Sequence, residues 1–312
     1  MINIENDNKY HERSHAARNS TLVSVVLNLF LSCFQVITGV FSGSQGLIAD
    51  GMHSFSDLIA DFVVLIANKK SRKPSDNDHH YGHWRYENGA SLIIGAILCL
   101  VGAGMLWSAM GKLWHPETIP AVHMVALWVA LGAIVIKELL FRYMLKVAKR
   151  VQSSMLIANA WHARSDAASS VVVAAGIIGN LAGFTWFDPI AAMIVGVMIA
   201  LMGYRFAAEA LNDLMDRSVD SATEQEIKNT ILAVPGVDGL HDVKTRKAGD
   251  LILVDAHLEV NAWLSVKQGH DIAVAVREQV MKNHDVLNIM LHIDPIIPHH
   301  KESHQTDISI RQ

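Results

Sequence analysis

Six stretches of mostly apolar residues, each near the length a helix needs to cross a bilayer, constrain this chain more than any other feature. In hydrocarbon the backbone must satisfy its own hydrogen bonds, so such stretches can only be helices. They lie at 21–42, 47–67, 88–112, 121–145, 154–183 and 187–210. The third (SLIIGAILCLVGAGMLW) and the sixth (IAAMIVGVMIALMGY) are the most uniform, whereas acids and histidines interrupt the second and fifth. Short polar or Gly/Pro-containing connections come after the first (SGSQG), third (HPETIP) and fifth (NLAGFTWFD). Only 18% of the 312 residues are charged, against about 25% in an average soluble domain. The apolar excess ends near residue 211, and the remaining residues to 312 read as a small soluble domain.

Basic residues orient the spans, because cytoplasmic loops retain them. Lys9, Arg13 and Arg18 precede the first span. Lys69, Lys70, Arg72, Lys73 and Arg85 come after the second, and Arg142, Lys146, Lys149 and Arg150 after the fourth. The three alternate connections hold Lys112 alone. This alternation predicts six spans with both termini in the cytoplasm, and the expected location is the inner (plasma) membrane. The first twenty residues are polar and do not read as a secretory signal. A net charge of −4 gives no support for nucleic-acid binding. Cys33 and Cys99 sit inside apolar runs, which argues against a disulfide framework or a thiolate zinc site.

Ionisable residues inside a span are costly and mark transport paths. Asp50, His53, Asp57 and Asp61 recur at helical spacing on one face of the second span. Asn159, His162, Asp166 and Ser169 do the same in the fifth. Each face carries His-x-x-x-Asp, as HSFSD at 53–57 and HARSD at 162–166. Residues four apart on a helix lie about 5–6 Å from one another, so each motif is a pincer of one nitrogen and one oxygen ligand. Two facing pincers make a four-ligand site that suits tetrahedral Zn²⁺ and also accommodates Fe²⁺, Co²⁺ or Cd²⁺. A single such motif reads as polar glue between helices; its repetition on two spans reads as a metal site. Two carboxylates balance a divalent ion, and the emptied site favours proton uptake, so metal–proton exchange is expected. Asp50 and Asp61 either attract cations toward the site or cap and hydrate the ends of span two, the second role being narrowly preferred, and Lys137 with Glu138 is read as a local polar pair near the cytoplasmic end.

The soluble part divides into a linker at 212–221, a domain at 222–298 and a disordered, solvated tail at 299–312 carrying His299, His300 and His304. Segment TEQEIKNTILAV predicts a helix starting at Ser221 or Thr223. Strands at 238–246 and 251–260, a helix at 265–283 and a strand at 286–294 complete an α-β-β-α-β order. Alternation sends Ile252, Val254, Ala256, Leu258 and Val260 to the core, with Asp255, His257 and Glu259 on the other face. Leu287, Ile289, Leu291 and Ile293 are likewise expected inward, with His292 and Asp294 outward. The connection after span two holds Asp76, His79, His80 and His83, which as a sequence is either a solvated linker or a second metal site.

These features together resemble the cation diffusion facilitator family. The likeness rests on the paired motifs, the six spans and the stretches DNDHHYGHWRYE at 76–87, LMDR at 214–217, GLHDVKTRKAG at 239–249 and HIDP at 292–295. It covers nearly the whole chain after about residue 20. The resemblance implies an α-helical membrane protein with six transmembrane helices at 21–211, a cytoplasmic N-terminal tail at 1–20 and a metallochaperone-like α+β cytoplasmic domain. It implies a homodimer that is not an enzyme and exports divalent metal from the cytoplasm in exchange for protons. It assigns the transport site to His53, Asp57, His162 and Asp166, and a loop site to Asp76, His79 and His83. It also implies a zinc cluster at the dimer interface from His241, His257, His270, His292 and Asp294, and a charge interlock of Arg85 with Asp216. Where this chain has His53, the zinc/iron efflux branch usually has Asp, and His is similar to the zinc-selective branches. The expected function is a Zn²⁺/H⁺ antiporter, with zinc both as substrate and as a structural or regulatory ligand. The alternatives are export of Fe²⁺, Co²⁺, Ni²⁺, Cd²⁺ or Mn²⁺, or a non-transporting membrane metal sensor or scaffold. A haem-holding redox enzyme ranks last, because each span histidine is paired with an Asp four residues on.

Overall fold

The computed structural model describes residues 4–71, 73–150, 154–249 and 251–297. The chain divides into two units, one of residues 1–70 with 89–210 and one of 71–88 with 211–312.

The long helices are α1 (Ile4–Ser42), α2 (Gln45–Ser71), α3 (Tyr86–Trp114), α4 (Met124–Arg150), α5 (Ser154–Leu181) and α6 (Phe187–Leu214). Among the described residues, four segments, Leu22–Ser42, Tyr86–Trp114, Met124–Arg150 and Phe187–Leu214, are long and apolar enough to cross a membrane. Helices α2 and α5 are not among them, and they are the two that carry the His-x-x-x-Asp motifs. Helix α1 begins well before residue 21, where the sequence predicts a tail. Nothing in IENDNKYHERSHAARNS halts a helix, since it contains neither Pro nor Gly.

Large apolar side chains such as Phe41, Leu100, Trp107 and Trp128 point outward, while Ala126, Ala130, Ala133, Ala174 and Ala192 are buried. This arrangement suits lipid outside and close helix packing inside. Helices α3 and α6 touch backbone to backbone. A Cβ on Gly203 would lie 2.7 Å from the Cys99 nitrogen, and one on Gly102 would lie 2.7 Å from the Ala200 nitrogen. Asp188 of α6 caps the start of α2, accepting from Ser44 Oγ at 2.6 Å and from the backbone nitrogens of Gln45 and Gly46 at 2.7 and 3.3 Å. Orphan donors of a buried helix end are thereby satisfied by a carboxylate, which the helix dipole also favours.

The second unit contains α7 (Ser221–Leu232), β1 (Gly239–Ala248), β2 (Leu251–Asn261), α8 (Val266–Asn283) and β3 (Val286–Ile296). The sheet order is β1-β2-β3, with β1 antiparallel and β3 parallel to β2. The parallel pair needs a crossover, and α8 supplies it. Ile227 and Ile231 of α7, Val276 and Val280 of α8, and Val254 and Leu258 of β2 form its core. Alternation along β2 is as expected. In β3 Val286 is buried and belongs to the core with Ile289, whereas Leu287 does not. The register slips between Ile252 and Leu253, which inserts an extra β3 residue and shifts the phase at the start of the ladder.

Helix α6 extends to Leu214, which leaves 215–220 between it and α7. The cap of α7 is Asp220, one residue before the expected start. Its carboxylate accepts from the Ala222 and Thr223 nitrogens at 3.1 and 3.0 Å and from Thr223 Oγ1 at 2.7 Å. These bonds, the Thr223 hydroxyl first, hold the Asp220 carboxyl below its usual range. The folded pKa is thus the lower one, so its stabilisation is present above the unfolded value and fades as pH falls through the folded value. Asp220→Asn should keep the cap but remove that acid dependence, whereas Asp220→Ala should fray α7 at every pH. Hydrogen exchange of the Ala222 and Thr223 amides checks both; unchanged protection in Asp220→Ala would contradict the cap.

Candidate metal sites

Helix α2 brings His53 and Asp57 together across one turn, with His53 Nδ1 3.7 Å from Asp57 Oδ2. Asp166 of α5 joins them. One ligand atom from each of the three lies within 4.8 Å of the others. His162 stands one turn before Asp166 on α5, but its side chain, like that of Asn159, lies outside the described residues. A cavity of about 70 Å³ is lined by Asp57, Asp61 and Asp166, together with Asn28, Ser54 and Lys137. The two helices thus gather one imidazole nitrogen and carboxylate oxygens within a few ångströms, with the Asp57 and Asp166 carboxylates also lining the small polar space, and this is the donor mixture a divalent metal takes.

The acids flanking the motif do not act as caps. Asp50 is fully buried, away from any helix end, and accepts from Gln35 Nε2 at 2.5 Å, Ser169 Oγ at 2.6 Å, Ser170 Oγ at 2.5 Å and Lys137 Nζ at 3.3 Å. Asp61 lies in the middle of α2 and faces the cavity, so it is not a cap either. Lys137 belongs with Asp50, and its neighbour Glu138 pairs instead with Arg142 at 2.8 Å and Arg164 at 3.8 Å. Adjacent helical residues point in different directions, so Lys137 and Glu138 cannot face one another.

In the second unit Asp76, His79 and His83 offer three ligand atoms within 4.8 Å of one another. The loop is shaped by Asp76, whose Oδ1 accepts from the backbone nitrogens of Asp78 and His79 at 3.2 and 2.9 Å. The hydrogen bond from Lys73 at 2.6 Å is the main reason the Asp76 carboxyl lies well below its usual range. His83 is buried with Nε2 3.5 Å from Asp76 Oδ2, while His80 is exposed.

Strand register builds the other group. His241 pairs with His257 and His257 with His292, which sets three imidazoles in a row across the sheet. Their ring centroids are 5.1 and 4.8 Å apart. Asp294, two residues beyond His292 on the same face, lies 2.9 Å from His257 Nδ1, 3.3 Å from His241 Nε2 and 3.3 Å from His292 Nε2. Glu259, which alternation also places on this outward face, adds a carboxylate 3.6 Å from His241. His270 is exposed on α8 and is not part of the group that His241, His257 and Asp294 form. His299, His300 and His304 lie outside the described residues. Arg85 pairs with Asp216, its other terminal nitrogen reaches the Leu214 carbonyl at 3.4 Å, and Arg246 approaches Asp216 at 3.9 Å.

Apolar helices packed with two others that carry candidate metal-ligand residues, joined to a small α+β domain, form the architecture of a membrane metal transporter. Residues 21–215 match the family described as cation efflux transmembrane domain, and 219–296 match cation efflux protein, cytoplasmic domain. The chain belongs to the cation diffusion facilitator family: it is a multi-pass membrane metal efflux transporter, not an enzyme. Metal tolerance protein 2 of Oryza sativa subsp. japonica is 34% identical over 302 residues, covering 88% of this chain and 78% of that protein. Manganese efflux system protein MneS of Bacillus subtilis (strain 168) is 34% identical over 278 residues, covering 89% and 95%. A solved MamM CTD in a nickel form covers 25% of this chain and 99% of its own at 23% identity and a TM-score of 0.24.

Proposed function

We propose that this chain is a zinc–proton antiporter that exports Zn²⁺ from the cytoplasm across the inner membrane. The observation that carries the reading is the convergence of His53, Asp57 and Asp166 beside a polar cavity between α2 and α5. His162, one turn from Asp166, supplies the fourth ligand. A two-nitrogen, two-oxygen set suits tetrahedral zinc, and two carboxylates balance its charge. Release of the metal leaves paired carboxylates facing each other, and protons relieve that repulsion. Six spans result if α2 and α5 cross with the other four, their ionisable face turned to the bundle interior. Both termini then lie in the cytoplasm, with basic connections on that side.

The protein works as a homodimer, the family of its cytoplasmic domain being one of dimerising modules. His241, His257, His292 and Asp294 hold zinc in that domain, and Asp76, His79 and His83 form a loop site. Arg85 and Asp216 lock the segment after α2 to the start of the linker. Manganese is the second reading, because relatives 34% and 32% identical are named manganese efflux proteins. The test is metal flux into proteoliposomes under an imposed pH gradient, with zinc and manganese in competition. Zinc should be taken up, and dissipating the gradient should slow it. Preferential manganese uptake would replace the cargo, and binding without uptake of either metal would sink the transporter reading.

A further inference from the structure

Beside the candidate transport site lies a charge pair that none of the proposed ligands needs. Lys137 and Asp50 are both buried, and they bridge α4 to α2. Each is saturated. Asp50 has one donor pair on each oxygen: Ser169 and Lys137 at Oδ1, Gln35 and Ser170 at Oδ2. An ionised carboxylate offers about four acceptor positions, so this one is filled. The ammonium of Lys137 also spends its three donors, on Asp50 Oδ1, on Ser170 Oγ at 2.7 Å and on the main-chain oxygen of Asp166 at 3.4 Å. That last contact, and a place in the cavity wall beside Asp57, put a fixed positive charge next to the proposed metal position.

A pair of this kind is weak evidence for stability, because burying two ions costs about what their attraction returns. Its electrostatic effect on the cavity is larger. A unit charge acts on a divalent ion with twice the Coulomb energy it exerts on a monovalent one, and low-dielectric surroundings screen it poorly. Lys137 therefore opposes metal entry, and Asp50, paired with it at 3.3 Å, offsets that opposition.

We infer that the buried Asp50–Lys137 pair sets the metal affinity of the transport site, with Lys137 weakening binding enough for release and Asp50 limiting that weakening. The inference rests on the reading of His53, Asp57 and Asp166 as transport ligands. Neither member of the pair is a ligand. Their effects on affinity are opposite in sign, which a purely structural role would not produce.

The test is zinc flux by the full chain in proteoliposomes over a range of zinc concentrations, so that KM and kcat are read separately. Asp50→Asn leaves Lys137 uncompensated and should raise KM by at least about tenfold. Lys137→Met removes the repulsion and should lower KM while also lowering kcat, because a tighter site releases metal slowly. The double variant is charge-balanced and should return KM to within about threefold of wild type, a coupling that a double-mutant cycle isolates. Lys137→Gln, which keeps a donor for Ser170, should behave as Lys137→Met and gives the answer if either single variant does not fold. KM moving the same way on loss of either charge, or staying put in the Lys137 variants, overturns the inference. Asp166→Ala separates the two levels. If it transports like wild type, the site reading falls and the inference with it. If it is inactive while the pair variants leave KM unchanged, only the inference falls.

Discussion

Replacing Asp166 by Ala should reduce pH-gradient-driven zinc flux by at least about 100-fold, since loss of groups merely supporting a metal ligand already costs about 10–100-fold. The reason lies in charge as well as geometry. With Asp57 alone the site keeps one carboxylate against a divalent ion, and the remaining positive charge must be held in a poorly solvated cavity. The substitution is gentle on the fold. Ala is the best helix former, and Lys137 and Ser169 contact the main-chain oxygen of Asp166, which Ala retains. Full-length Asp166→Ala should therefore purify as folded protein, and zinc should still bind its cytoplasmic histidines while transport is lost. Transport at the wild-type rate would remove Asp166 from the site. Asp57→Ala should behave in the same way, because His53 and Asp57 share one turn and together form half of the site.

The pincer is legible in the sequence because its two members sit on one helix, where a spacing of four residues fixes a distance. The cross-sheet row is half legible. Alternation along β2 and β3 puts His257 and His292 on the face away from the core, but only strand register brings them opposite each other and adds His241. Strict alternation fails at Leu287 because the register slip at Ile252 leaves no mark in local composition. Contacts between helices are hidden for the same kind of reason. Asp50 and Lys137 are 87 residues apart, and no periodicity links them. Nearness in sequence suggests Glu138 as the partner of Lys137, although helix geometry forbids that pairing. The cap of α7 lies one residue before the expected start, since Asp220, Ser221 and Thr223 are all good cap residues and only the backbone turn selects among them.

Gly203→Leu should prevent the membrane domain from assembling, while glycines without a close neighbour should tolerate the same change. A Cβ on Gly203 would stand 2.7 Å from the Cys99 nitrogen, 2.8 Å from the Gly95 oxygen and 2.8 Å from the Leu98 Cβ. Two of these neighbours are backbone atoms of α3, so no side-chain rotation relieves the clash; the helices themselves must separate. Separation would unpack Leu98, Val195 and Ile199, which are almost wholly buried. In lipid no hydrophobic force draws the helices back, since close packing itself is what holds them. Even inserting methylenes into a core that can adjust costs about 1–3 kcal/mol, and here the backbone cannot adjust locally. Gly203→Ala should lower the melting temperature in detergent, and Gly203→Leu should leave little monodisperse protein on size-exclusion chromatography. Gly104 sits on the same helix as Gly95, but nothing lies within 4 Å of a Cβ built there. Gly104→Leu should therefore express and melt like the wild type. If Gly203→Leu and Gly104→Leu behaved alike, the α3–α6 contact would not be the close backbone approach on which the domain depends.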